Sequence, residues 1–141
     1  LPELGPWGNI KREVAVKDLG ARVDFKLESD DRPALFLEVK NVTAAVSDGI
    51  ALFPDAVSER AVRHLRTLVT LVERGFDAAL CYCVQRDDVC MVRPAVELHP
   101  EYATALAQAC AAGVLVTAVG CCVSPASIVP QGRVGVEVDV V

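Results

Sequence analysis

The stretch ARVDFKLESDDRPALFLEVK, residues 21–40, decides how this chain folds. From Arg22 to Glu28 polar and apolar side chains alternate, the period of a strand with one buried face. Ala34 to Lys40 (ALFLEVK) reads as a second strand, and the polar link Ser29 to Pro33 between the two suits a hairpin loop. Upstream, Lys11 to Lys17 (KREVAVK) alternates as well, with Gly20 in the turn that follows. Three antiparallel strands are therefore expected to open the fold.

Past Gly49 the period changes. Asp55 is placed to cap a helix whose Val57, Ala61, Leu65, Leu68 and Val72 make one apolar stripe, and Gly75 stops it. Ala78 to Val84 is apolar throughout, as in a strand buried on both faces at the centre of a sheet. The unit then repeats. Pro100 suits a first helical turn, Ala103 to Ala112 is rich in the best helix former, and Gly113 precedes a strand from Val114 to Val119. Beyond Ser124, Val134, Val136, Val138 and Val140 alternate as a short C-terminal edge strand. The order β-β-β-α-β-α-β predicts an α/β architecture, a mixed central sheet with flanking helices.

A chain of 141 residues, 52% apolar and 23% charged, fits one domain over residues 1–141. No apolar run approaches the roughly 18 residues that cross a bilayer, and Leu1 to Trp7 lacks a basic segment followed by a hydrophobic one, so a soluble protein is expected. Against 14 Lys and Arg stand 19 Asp and Glu, a net charge of −5 that works against any partner held by phosphate attraction alone. Nucleic acid, if bound, needs a local basic patch. The six cysteines include no CxxC pair, which removes zinc-type spacing and points to reduced thiols in a cytoplasmic protein. No glycine-rich phosphate loop is present.

Chemistry concentrates in the hairpin. A turn centred on Asp31 sets Asp24 opposite Glu38 and Arg22 opposite Lys40, all on one face. Directly opposed β-carbons lie about 4.5–5.5 Å apart, so the two carboxylates call for a cation between them. Mg2+ or Mn2+ suits such a pair, and Lys40 would project beside it to orient water or neutralise a phosphate oxygen. The same alternation also describes an ordinary amphipathic strand with a wet outer face. A one-residue slip in register would send one strand's acidic residues to the other side. On the helix, Arg60, Arg63 and Arg66 recur every third residue as a ridge able to touch phosphates, or as a solvated face. His64, one turn after Arg60, is either a phosphate donor or proton carrier, or a structural histidine. Glu59 either pairs with Arg63 or joins Arg60 in completing the hairpin site. His99, before Pro100, is expected to have no chemistry.

KREV, ARVDF, FLEVKNVT and ALFPDAVSERAVRHL together resemble the sugar fermentation stimulation (SfsA) family of DNA-binding proteins, with a weaker likeness running on to SPASIV. That resemblance implies a restriction-endonuclease-like fold of the PD-(D/E)xK type, in which Asp24, Glu38 and Lys40 match the acidic, acidic and lysine positions. It makes Asp24, Glu38, Lys40 and Glu59 the candidate catalytic residues, with metal at Asp24 and Glu38. Arg22, Arg60, Arg63 and His64 become the candidate nucleic-acid contacts. Ala21 stands where the family usually has serine. The resemblance also implies an N-terminal OB-like barrel and a leading helix, both absent from this stretch, and the barrel is expected to supply much of the affinity for DNA. Two functions follow from it: a divalent-metal-dependent nuclease-like module, or a catalytically silent DNA-binding regulator of sugar (maltose) metabolism. Pairing of two copies into a homodimer is left open.

Overall fold

The computed structural model describes residues 5–43, 48–124 and 127–138. Strands β1 (Asn9–Val16), β2 (Ala21–Ser29) and β3 (Arg32–Val42) form the expected antiparallel opening. A single 3-10 turn, Lys17–Leu19, links the first two. Gly20 ends that turn at φ 58°, where its N–H donates to the Lys17 carbonyl, a left-handed conformation that a side chain would strain.

Helix α1 (Glu59–Glu73) begins later than its apolar stripe predicts. Ser58, not Asp55, is the cap: its Oγ accepts from the Ala61 N–H at 3.1 Å. Val57 accordingly precedes the helix and stays 64% exposed, while Ala61, Val62, Leu65, Leu68 and Leu71 are buried. The helix ends as Gly75 predicts. Gly75 N–H donates to Val72 and Phe76 N–H to Leu71, a paired closure that needs the left-handed φ of 93° at the glycine. Helix α2 (Pro100–Ala112) closes in the same way, with Gly113 bonding back to Cys110 and Val114 to Ala109.

Among the described residues the sheet has eight strands in the order β1-β2-β3-β5-β7-β8-β6-β4. Strand β5 (Asp77–Val84) runs parallel to both β3 and β7 (Leu115–Ser124), and every residue after Asp77 is buried, as the apolar run requires. Two short strands add to the expected order. These are β4 (Ile50–Phe53) and β6 (Met91–Pro94), which pair with each other in parallel. Because β6 also pairs with Gly135 and Val136, the C-terminal strand β8 (Ser127–Val136) lies inside the sheet rather than at its edge. Val134 is buried and Val138 packs on the core; Val140 lies outside the described residues.

Both helices cover one face. There Phe36 and Val42 of β3 and Leu80, Tyr82 and Val84 of β5 pack with Leu65, Leu68, Tyr102 and Leu106. Within this core the Tyr82 and Tyr102 hydroxyls meet at 2.6 Å, with the Phe53 ring 5.4 Å from each tyrosine ring. Leu27, Leu35 and Ala79, with Trp7, Phe25 and Leu37, form a smaller cluster apart from it. Among the described cysteines, Cys81 and Cys83 are buried thiols of β5 and Cys90 is exposed. No helix of the described residues is long and apolar enough to cross a membrane.

The cap assignment is directly testable by urea unfolding. Ser58→Ala should destabilise the fold by about 1 kcal/mol, whereas Asp55→Ala should change it by less than about 0.5 kcal/mol. The reverse ranking would place the helix start at Asp55.

Candidate functional site

The site lies where β2 and β3 part. Phe25 faces Leu37, Lys26 faces Phe36 and Leu27 faces Leu35, the register expected of a turn centred on Asp31; the turn itself is Asp30–Asp31, with Ser29 facing Arg32, and a bulge between Leu27 and Ser29 restores that register. The backbone ladder stops at Phe25–Leu37. One step further, side chains replace it: Asp24 Oδ2 accepts from the Val39 N–H at 2.8 Å, and Glu38 Oε2 accepts from the Asp24 N–H at 3.4 Å. On the other side of Asp24, β1 pairs through Arg12 and Val14 but not through Glu13, whose φ is 51°. The burial pattern of β2 breaks here too, since Val23 belongs to the core under the helices and Phe25 and Leu27 to the opposite cluster. Each carboxylate is thus anchored to the other strand's backbone.

Glu38 is only 4% exposed. Its face is the one that α1 covers, which rules out the wet outer face for this residue. Two basic groups meet its Oε1, Lys40 Nζ at 2.9 Å and His64 Nδ1 at 2.8 Å. These two also touch each other, at 2.6 Å. Nδ1 has a single proton position, so it either donates to Glu38 or accepts from Lys40. Arg60, one turn before His64, directs Nε toward His64 Nε2 at 3.5 Å.

The remaining candidates are distributed differently. Arg22 does not join Lys40; it is 67% exposed and leans toward Glu13 at 3.8 Å. Glu59 and Arg63 are exposed on α1, and among the described residues neither makes an ion pair. The arginine ridge is divided, because Arg66 pairs with Glu101 of α2 at 3.0 Å and leaves Arg60 as the member beside the hairpin. Lys26, unassigned from sequence, lies 5.5 Å from the centre of the Phe36 ring. His99 has a role that its sequence position does not reveal: buried at the start of α2, its Nε2 sits 3.2 Å from the Ser58 carbonyl and ties the two helix starts together.

Burial pushes the Glu38 carboxyl up, but hydrogen bonds from His64 and Lys40, with their charges, outweigh it and hold the group below the ordinary 4.5. Because the folded value is the lower one, ionised Glu38 stabilises the native state fully above about pH 4.5, and that contribution is lost as pH falls through the depressed value. Urea midpoints measured from about pH 6 down to about pH 3 should fall more steeply for the wild type than for Glu38→Gln. Equal slopes would mean that Glu38 is not held ionised by its neighbours.

Residues 1–127 match the family described as "Sugar fermentation stimulation protein RE domain". The sugar fermentation stimulation protein homolog of Thioalkalivibrio sulfidiphilus is 46% identical over 139 residues, covering 99% of this chain and 58% of its own length. The homolog of Halorhodospira halophila is 52% identical over 121 residues, covering 84% of this chain and 50% of its own. Among solved structures, Pyrococcus furiosus SfsA in complex with Ca2+ superposes with a TM-score of 0.81 at 32% identity, over 97% of this chain and 58% of that one. This chain therefore spans little more than half the length of the relatives it matches. The mixed sheet and its two helices are restriction-endonuclease-like, in keeping with that structure. Sequence and fold agree, and the chain belongs to the sugar fermentation stimulation protein family.

Proposed function

We propose that this chain is a nuclease-like, DNA-binding module whose Asp24 and Glu38 hold Mg2+ or Mn2+ and whose Lys40 acts at the scissile phosphate. The observation that carries the reading is the buried Glu38 carboxylate beside Lys40 at the point where β2 and β3 separate.

The donor set fits a hard cation. Among the described residues no three His, Cys, Asp or Glu side chains group as a metal cluster, yet magnesium commonly takes only one or two carboxylates and keeps several waters. Lys40 Nζ already sits 2.9 Å from Glu38 Oε1, so positive charge is accommodated at that oxygen. The Ca2+ bound in the structure of Pyrococcus furiosus SfsA supports the same reading. A bound ion of this class polarises a phosphoryl oxygen and supplies an acidified water. The chain's own part is distinct. The crossed backbone bonds of Asp24 and Glu38 fix both carboxylates, and the Lys40 ammonium offsets charge growing on a phosphate oxygen. Arg60, exposed one turn from His64, would contact a neighbouring phosphate.

Plasmid cleavage in Mg2+ by the wild type should drop at least about a hundredfold in Lys40→Ala and in Asp24→Asn, with folding checked by circular dichroism. Undiminished cutting by Lys40→Ala would refute the assignment. DNA binding with no cleavage by any form would leave the catalytically silent regulatory module, the reading that the net charge of −5 favours. In either case Arg60→Ala should weaken DNA binding and reduce the salt slope by about one unit, and an unchanged slope would take Arg60 off the interface.

A further inference from the structure

We propose that Lys11 and Lys26 form a two-lysine clamp for one phosphate of the DNA backbone, beside the carboxylates and toward the β1 edge of the sheet. The inference deepens the DNA-binding reading above and rests on it, but it needs no metal ion.

Strand pairing puts the two lysines together. Lys11 stands directly opposite Lys26 across β1 and β2, and Lys26 stands opposite Phe36 across β2 and β3. Residues opposed in this way share one face of the sheet, and Glu38, two residues after Phe36, shares it too. Glu38 is therefore the diagonal neighbour of Lys26, about 7–8 Å away in a regular sheet, with Lys11 one strand further out. On the α1 side of the same carboxylate lies Arg60, directed at His64. Cations thus flank the site on both sides.

Like charges directly opposed on neighbouring strands repel, so two facing lysines are an unfavourable choice for the sheet alone. A single carboxylate holds them: Glu28 Oε1 meets Lys11 Nζ at 2.9 Å, and Glu28 Oε2 meets Lys26 Nζ at 3.4 Å. Asn9 also donates to Oε1, at 3.2 Å, and fixes the carboxylate from the β1 side. The trio keeps one unbalanced positive charge, which one phosphodiester would neutralise. Lys26 is the steadier arm, 24% exposed with Nζ 5.5 Å from the centre of the Phe36 ring. Lys11, 55% exposed, has room to close over a phosphate. On a chain of net charge −5, affinity for DNA has to come from such local excesses of cation.

Glu28 makes the two lysines act as a unit. When either ammonium is removed, the other is spent on Glu28, and the phosphate loses its partner.

The test is fluorescence anisotropy of a dye-labelled DNA duplex of about 20 base pairs, titrated with the whole chain across a range of salt. EDTA is present, so neither metal uptake nor cleavage enters. Lys11→Met and Lys26→Met, which keep the apolar stem, should each bind about tenfold more weakly near 0.1 M salt and lower the salt slope by about one unit. The double variant should fall no further. Lys26→Arg should keep the wild-type slope, and Glu28→Gln should bind several-fold more tightly. Lys17→Met, which removes an exposed lysine of the 3-10 turn, should bind as the wild type does. Wild-type slopes in both single variants, a double variant that loses about two units, or an equal loss in Lys17→Met would overturn the clamp while leaving DNA binding in place. A wild-type chain with no affinity for the duplex would overturn the DNA-binding reading and the clamp with it.

Discussion

A carboxylate that is 4% exposed must be protonated or met by positive charge, and Glu38 is met by the Lys40 ammonium, with His64 Nδ1 on the same oxygen. Much of the local architecture answers this requirement. Strand β3 delivers Lys40 two residues on, so that both side chains share a face, and α1 crosses that face to bring His64 against them. The opening of the hairpin serves the same end. Had the ladder continued past Phe25 and Leu37, backbone groups would have paired with one another, and the Asp24 carboxylate would not have been drawn onto the Val39 N–H. Glu13, whose backbone drops out of the β1–β2 ladder, shows that the disturbance extends across β2 to the next strand.

The same requirement explains why α1 must be held accurately at its start. Ser58 caps it, and the buried His99 grips the Ser58 carbonyl from the beginning of α2. Both helix entries are thereby fastened to one peptide unit. Arg60 follows two residues later and His64 one turn after that, so an error in the first turn would move the cationic side of the site directly. The far ends are fixed separately, by the paired glycine closures at Gly75 and Gly113.

Much of this was legible in the chain because the deciding signals are local. Alternation gives the hairpin, although its turn is only Asp30–Asp31 and a bulge restores the expected register, and an uninterrupted apolar run marks β5 as central. Each helix stops at a glycine where a left-handed φ is needed. What escaped was either too short or too distant. Four residues carry no readable period, so β4 and β6 were invisible, and without them β8 had no reason to lie inside the sheet. Asp55 and Ser58 are both good caps, and only the bond to Ala61 separates them. The site divides in the same manner. Asp24, Glu38 and Lys40 follow from one turn and from the family likeness, but the angle at which a helix docks on a sheet is not written in its stripe. His64 against Glu38, and Arg66 turned away toward Glu101, are consequences of that angle.

The aromatic residues divide the molecule in a way that is useful at the bench. The chain has two tyrosines, and both hydroxyls are spent on each other in the core, where burial drives their ionisation far into the alkaline range. Its one tryptophan lies instead near the amino end, stacked 3.7 Å from the Arg32 guanidinium and packed on the smaller cluster. Phenolate absorbance is therefore silent until the helix-covered core opens, while indole fluorescence follows the hairpin side of the sheet. Two optical signals thus separate loosening of the amino-terminal strands from collapse of the whole fold, without any label being introduced.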